Sequence, residues 1–71
     1  MDNYTVKVWE IEGRDKQQGN PDFFNNVFAR SPELALQKTL LDNKINVKVY
    51  AEVIWNNGQS RQKFEDYLVK F

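Results

Sequence analysis

The side chains best suited to chemistry in this chain are ten carboxylates and two serines, because it contains neither histidine nor cysteine. Proton transfer and nucleophilic attack near neutral pH usually fall to those two missing types. Ser31 precedes Pro32 and reads as a helix cap, and Ser60 lies beside an Asn57-Gly58 turn. Neither serine has a histidine base or an adjacent lysine to activate it. The carboxylates do not follow calcium-loop spacing, and Glu10 and Glu12 read as solvated at a strand end. Glu52 and Asp66 could meet across strands as an acid–base pair, but the expected register puts them on opposite faces. Gly13, Gly19 and Gly58 lie too far apart for a dinucleotide fingerprint or a P-loop. The basic run Arg61-Gln62-Lys63 is cancelled locally by Glu65-Asp66. These residues predict a protein that is not an enzyme and uses no cofactor. The usual thiolate and imidazole metal ligands are missing as well.

Binding chemistry is better provided for. Strand alternation gathers Lys7, Trp9 and Ile11, then Lys48, Tyr50, Glu52 and Ile54, then Lys63, Glu65 and Tyr67 on one sheet face. A water-facing antiparallel sheet should read polar, yet this face carries large apolar groups. Three readings compete. One is cross-strand packing that stiffens a thin domain. Another is an interface with a protein partner or a second copy, since Tyr and Trp are enriched at interfaces. The last is stacking of single-stranded bases on the aromatics, with the lysines near the phosphates. Ten basic and ten acidic residues give zero formal charge, which disfavours nucleic acid. The run of Gly and Phe that marks aromatic RNA-recognition sheets is also absent. The expected function is therefore a protein-binding module, a small inhibitor or adaptor. Single-stranded nucleic-acid binding on the same face is the alternative. The residues expected to bind a partner are Trp9, Ile11, Tyr50, Ile54, Tyr67, Lys7, Lys48 and Lys63. Leu34 and Leu41 form a second candidate surface on the helix, and the loop from Gly13 to Asp22 is a further candidate.

These residues must be positioned by a small set of elements. Tyr4 to Ile11 reads as a strand from its β-branched and aromatic content, with Tyr4, Val6 and Val8 on one face. Phe23 to Ala29 reads as a second strand despite two asparagines. Ser31-Pro32-Glu33 combines a capping hydroxyl, a first-turn proline and an acid at the positive helix end. The helix should run from Pro32 to Asp42, burying Ala35, Leu36, Thr39 and Leu40, with Asn43 as the left-handed end residue. Ile45 to Asn56 alternates as a long strand with a bend expected near Ala51, and Asn57-Gly58 suits a tight hairpin turn. The tail fits two patterns. Phe64, Tyr67, Leu68 and Phe71 keep helical spacing, whereas the hairpin turn favours a strand that pairs Lys63 with Glu52 and Tyr67 with Lys48. In that strand Phe64 and Leu68 face the core, and Asp66 would do so too unless a bulge intervened.

The fold class that follows is α+β: a four-stranded antiparallel sheet with one helix on one face, in the order β-β-α-β-β. With 71 residues, positions 1–71 form a single small globular domain with a thin core. Five Phe, three Tyr and two Trp can supply aromatic density in place of disulfides or a metal, and self-association is the other compensation. No apolar run approaches the roughly twenty residues of a membrane span, and Met1-Asp2-Asn3 begins no signal peptide, so a cytoplasmic location is expected by default.

Overall fold

The computed structural model describes residues 2–10 and 19–69. Its elements are β1 (Asp2–Glu10), β2 (Phe23–Ala29), α1 (Pro32–Asp42), β3 (Val49–Trp55) and β4 (Ser60–Tyr67). The strands form one antiparallel sheet in the order β2-β1-β3-β4, and the tail that fitted both patterns is a strand from Ser60 to Tyr67, with Phe71 outside the described residues. No described helix is long and apolar enough to cross a membrane.

The helix starts as its sequence dictates. Ser31 Oγ accepts the Leu34 N–H at 3.2 Å, and Pro32 occupies the first turn, where no helical N–H partner is lost. Ala35, Leu36, Thr39 and Leu40 are the buried positions, and Thr39 Oγ1 donates to the Ala35 carbonyl at 3.0 Å, so its hydroxyl is satisfied. The helix end departs from expectation by one residue. Lys44, not Asn43, takes the left-handed conformation, with φ of 56°. Its N–H donates to Leu41 O at 3.1 Å and the Ile45 N–H to Leu40 O at 2.9 Å, the paired bonds of a Schellman end. Leu40 and Ile45 bury together beneath it.

Ile45 is therefore spent closing the helix, and β3 begins at Val49 rather than at Ile45. Tyr4, Val6 and Val8 of β1, Val27 and Ala29 of β2 and Val49, Ala51 and Val53 of β3 meet the helix residues in one core. Fully burying each aliphatic side chain there contributes about 1.5–3 kcal/mol. Tyr4 and Trp55 extend the core edge-to-face, with ring centroids 5.3 Å apart.

The β3–β4 turn keeps the expected register with a longer loop. Trp55 pairs with Ser60, so four residues turn the chain instead of two. Asn56, Asn57 and Gly58 all have positive φ, the conformation that Asn and Gly tolerate best. Glu52 stands opposite Lys63 and Ala51 opposite Phe64, as expected. Beyond that the register shifts. Val49 pairs with Tyr67, which leaves Glu65 and Asp66 of β4 opposite Tyr50 alone. Asp66 takes φ of 50° at this bulge and is exposed. Two expectations fall with it. Tyr67 does not pair with Lys48 but turns to the helix side, and Leu68 is exposed while Val69 enters the core.

Candidate functional site

Alternation gives the sheet a second face, away from the helix. It is built by Thr5, Lys7 and Trp9 of β1, Phe24, Asn26 and Phe28 of β2, Tyr50, Glu52 and Ile54 of β3, and Arg61 and Lys63 of β4. Lys7 stands between Phe24 and Glu52, Thr5 between Asn26 and Ile54, and Trp9 opposite Tyr50.

The two aromatics expected to form the contact surface are packed instead. The rings of Trp9 and Tyr50 lie 5.6 Å apart at 54°, and each residue keeps only 4% of its surface. Trp9 Nε1 donates to the Gly19 carbonyl at 3.2 Å, so the end of the β1–β2 connection lies against this ring. An indole with its N–H satisfied and its face covered stabilises the domain rather than meeting a partner. A second anchor holds the same connection, where Asp22 Oδ2 accepts the Glu10 N–H at 2.8 Å.

The charges on this face also meet one another. Glu52, 5% exposed, lies 3.6 Å from Arg61 Nη1 and stands in register between Lys7 and Lys63. The Arg61 guanidinium compensates the burial of this carboxylate, and the neighbouring strands carry a lysine at the flanking register positions. Ile54 is half-buried and lines a cleft of about 350 Å³ with Asn3, Thr5, Trp55 and the turn residues Asn56 and Asn57. Among the described residues of that lining, Asp2 is the only ionisable one.

The remaining expected positions scatter. Tyr67 belongs to the opposite face: it packs on Phe64, with ring centroids 5.6 Å apart, and bonds to the helix through Gln37 and Glu33. Lys48 is exposed but precedes β3. Lys63 is exposed in β4, and Leu34 and Leu41 are exposed on the helix. Ile11 and most of the loop that starts at Gly13 lie outside the described residues.

The largest exposed side chains of the sheet are two that the sequence reading left out. Phe24 and Phe28 retain 60% and 63% of their surface on β2, two rungs either side of Asn26. Positions four apart on a strand share a face and stand about 13 Å apart. The signal was in the alternation: Val27 and Ala29 fix the core parity of β2, which leaves Phe24, Asn26 and Phe28 on the other side. Asn26 Oδ1 accepts the Thr5 hydroxyl at 3.0 Å, tying this strip to β1.

Among the described residues no group of acidic side chains is placed to hold a metal ion. No protein-family model matches the chain, and no curated protein or solved structure matches it either.

Proposed function

We propose that this chain is a non-enzymatic protein-binding module, of the kind that acts as a small inhibitor or adaptor by occupying a surface on another protein. Its docking strip is the face of β2 and β1 that carries Phe24 and Phe28, with Lys7 and Asn26 beside them. The observation that carries the reading is the exposure of these two phenylalanines, 60% and 63%, on one side of an edge strand. Large aromatic groups left in water along one face of a strand are characteristic of contact surfaces, and aromatic residues supply much of the energy in such contacts. The Trp9–Tyr50 pair shares this face but is already packed and buried, so it flanks the strip rather than forming part of it. Base stacking is supported less well, because Trp9 and Tyr50 are covered and Glu52 answers Lys7 and Lys63 on the same face.

The test is affinity capture with the intact protein and with a Phe24→Ser/Phe28→Ser double variant, in nuclease-treated extract. A protein retained near stoichiometry by the intact chain and lost with the double variant supports the reading. Capture that survives the double variant, or that disappears on nuclease treatment, sinks it.

A further inference from the structure

The two edges of the sheet are guarded very differently. β4 carries Arg61, Lys63, Glu65 and Asp66 and is interrupted by the bulge at Asp66, features that discourage strand pairing. β2 reads Phe-Phe-Asn-Asn-Val-Phe-Ala, with no charge and no proline, and pairs with β1 without a break from Asp2↔Ala29 to Val8↔Phe23. Among the described residues no strand pairs with its outer side. A straight, neutral edge of this kind is a template for another strand.

The same strand is close to self-complementary. Two copies placed antiparallel about Asn26 bring Phe24 opposite Phe28, Asn25 opposite Val27 and Asn26 opposite its own counterpart. One rung beyond each end, Asp22 comes opposite Arg30, so residues of opposite charge face each other at both ends of the ladder. A parallel arrangement would set Asp22 against Asp22 and Arg30 against Arg30, which repel. Resting on the protein-binding reading above, we infer that the partner of this face is a second copy of the chain, joined through β2 in an antiparallel, two-fold arrangement centred on Asn26.

The ladder would align the exposed phenylalanines of both copies along one strip. At 60% and 63% exposure, the four rings offer roughly 500 Å² of apolar surface. That falls well below the roughly 1,200 Å² of standard specific interfaces, so the dimer depends on the backbone ladder as well and should be weak and concentration-dependent rather than obligate. A thin core without disulfides is the setting in which small domains gain stability from oligomerisation.

Sedimentation equilibrium from micromolar to millimolar protein tests this directly. The expected result is a mass that climbs from that of one chain toward twice that value. Asn26→Lys sets two lysines face to face at the dyad and should hold the protein monomeric. Asn26→Cys gives a sharper readout, because the chain has no cysteine of its own. Directly opposed antiparallel residues have Cα atoms about 4.5–5.5 Å apart, within disulfide range. Oxidative crosslinking through Cys at 26 should run at least about tenfold faster than through Lys63→Cys on the other edge, since pairing raises the local thiol concentration. The inference is overturned by a protein that stays monomeric to millimolar concentration. It is equally overturned by Asn26→Cys crosslinking no faster than Lys63→Cys. A monomeric chain that still captures a different protein through Phe24 and Phe28 would overturn the dimer and leave the binding-module reading standing. Loss of both self-association and capture would sink both.

Discussion

The Tyr67 hydroxyl donates to Glu33 Oε2 at 3.2 Å, joining the end of β4 to the first turn of the helix. Gln37 Nε2 completes a triangle, donating to Tyr67 Oη at 3.0 Å and to Glu33 Oε2 at 3.2 Å. The contact exists only because of the bulge at Glu65 and Asp66. Without the extra residue, Tyr67 would share a face with Lys63 rather than with Phe64.

This triangle should make stability fall in alkali. Burial raises the Tyr67 phenol above its ordinary value near 10, the Gln37 hydrogen bond opposes that shift, and the Glu33 carboxylate adds to it. Burial, with Asp2 adjacent, raises Tyr4 in the same direction. A raised phenol pKa means that the native state holds the proton more tightly than the unfolded chain. The corresponding stability is complete below about pH 10 and is lost as pH rises through the native value. Tyr67→Phe should cost about 1 kcal/mol at neutral pH and flatten the alkaline decline. Urea denaturation at neutral pH and above pH 10 checks both; a variant declining as steeply as the parent would contradict it.

Aromatic residues on the face away from the helix should divide into two classes. Trp9→Ala removes a buried indole and should cost about 3–5 kcal/mol, a large share of what so small a domain possesses. Phe24→Ser and Phe28→Ser should each stay within about 0.5 kcal/mol, as ordinary surface changes do. Urea midpoints of the three variants test the division. A Phe24 variant as damaged as Trp9→Ala would move Phe24 into the core.

The helix end offers a stabilising change. Lys44 holds φ of 56° at a position where glycine is the preferred residue. Lys44→Gly should raise stability by roughly 0.5–1 kcal/mol, because it relieves the left-handed strain while both Schellman bonds use only backbone atoms. Thermal melts are sufficient to see the shift. A lower melting temperature would mean that the lysine side chain holds something the bond pattern does not reveal.

Glu52 should be the most salt-sensitive residue of the sheet. Glu52→Gln keeps its shape but leaves Lys7, Arg61 and Lys63 around an uncharged centre. A loss of about 1–3 kcal/mol is expected, and added salt should recover part of it by screening the cations from one another. Denaturation of parent and variant at low and high ionic strength measures the difference, and a salt-independent loss would mean that packing and not charge is at stake.

Local chemistry was the legible part of this sequence. Ser31-Pro32-Glu33 marks the helix start because capping involves neighbours, and the Ala35, Leu36, Thr39 and Leu40 stripe follows from helical geometry alone. The Glu52–Lys63 pairing could be counted outward from the Asn57-Gly58 turn. Counting failed at the first irregularity. The poor placement of Asp66 pointed to a bulge, but only the assembled sheet shows the extra residue that turns Tyr67 over. The burial of Trp9 and Tyr50 was illegible for a different reason. Alternation assigns Trp9 and Tyr50 to a face without revealing what packs there, and the Gly19 carbonyl that accepts the Trp9 N–H is ten residues away in sequence. Phe24 and Phe28 were within reach, since the parity of β2 was readable from Val27 and Ala29.

The sheet order has a consequence for how the protein is made. β1 leaves the ribosome first, yet it ends in the middle of the sheet, between β2 and β3. As β2 emerges it can zip onto one side of β1, but a lone hairpin is marginal in water. The other side of β1 waits for its β3 partners, from Ile54 opposite Thr5 to Val49 opposite Glu10. Until those residues have been translated, the nascent chain presents open backbone on both flanks of the hairpin, and the sheet closes only once β3 and β4 have followed.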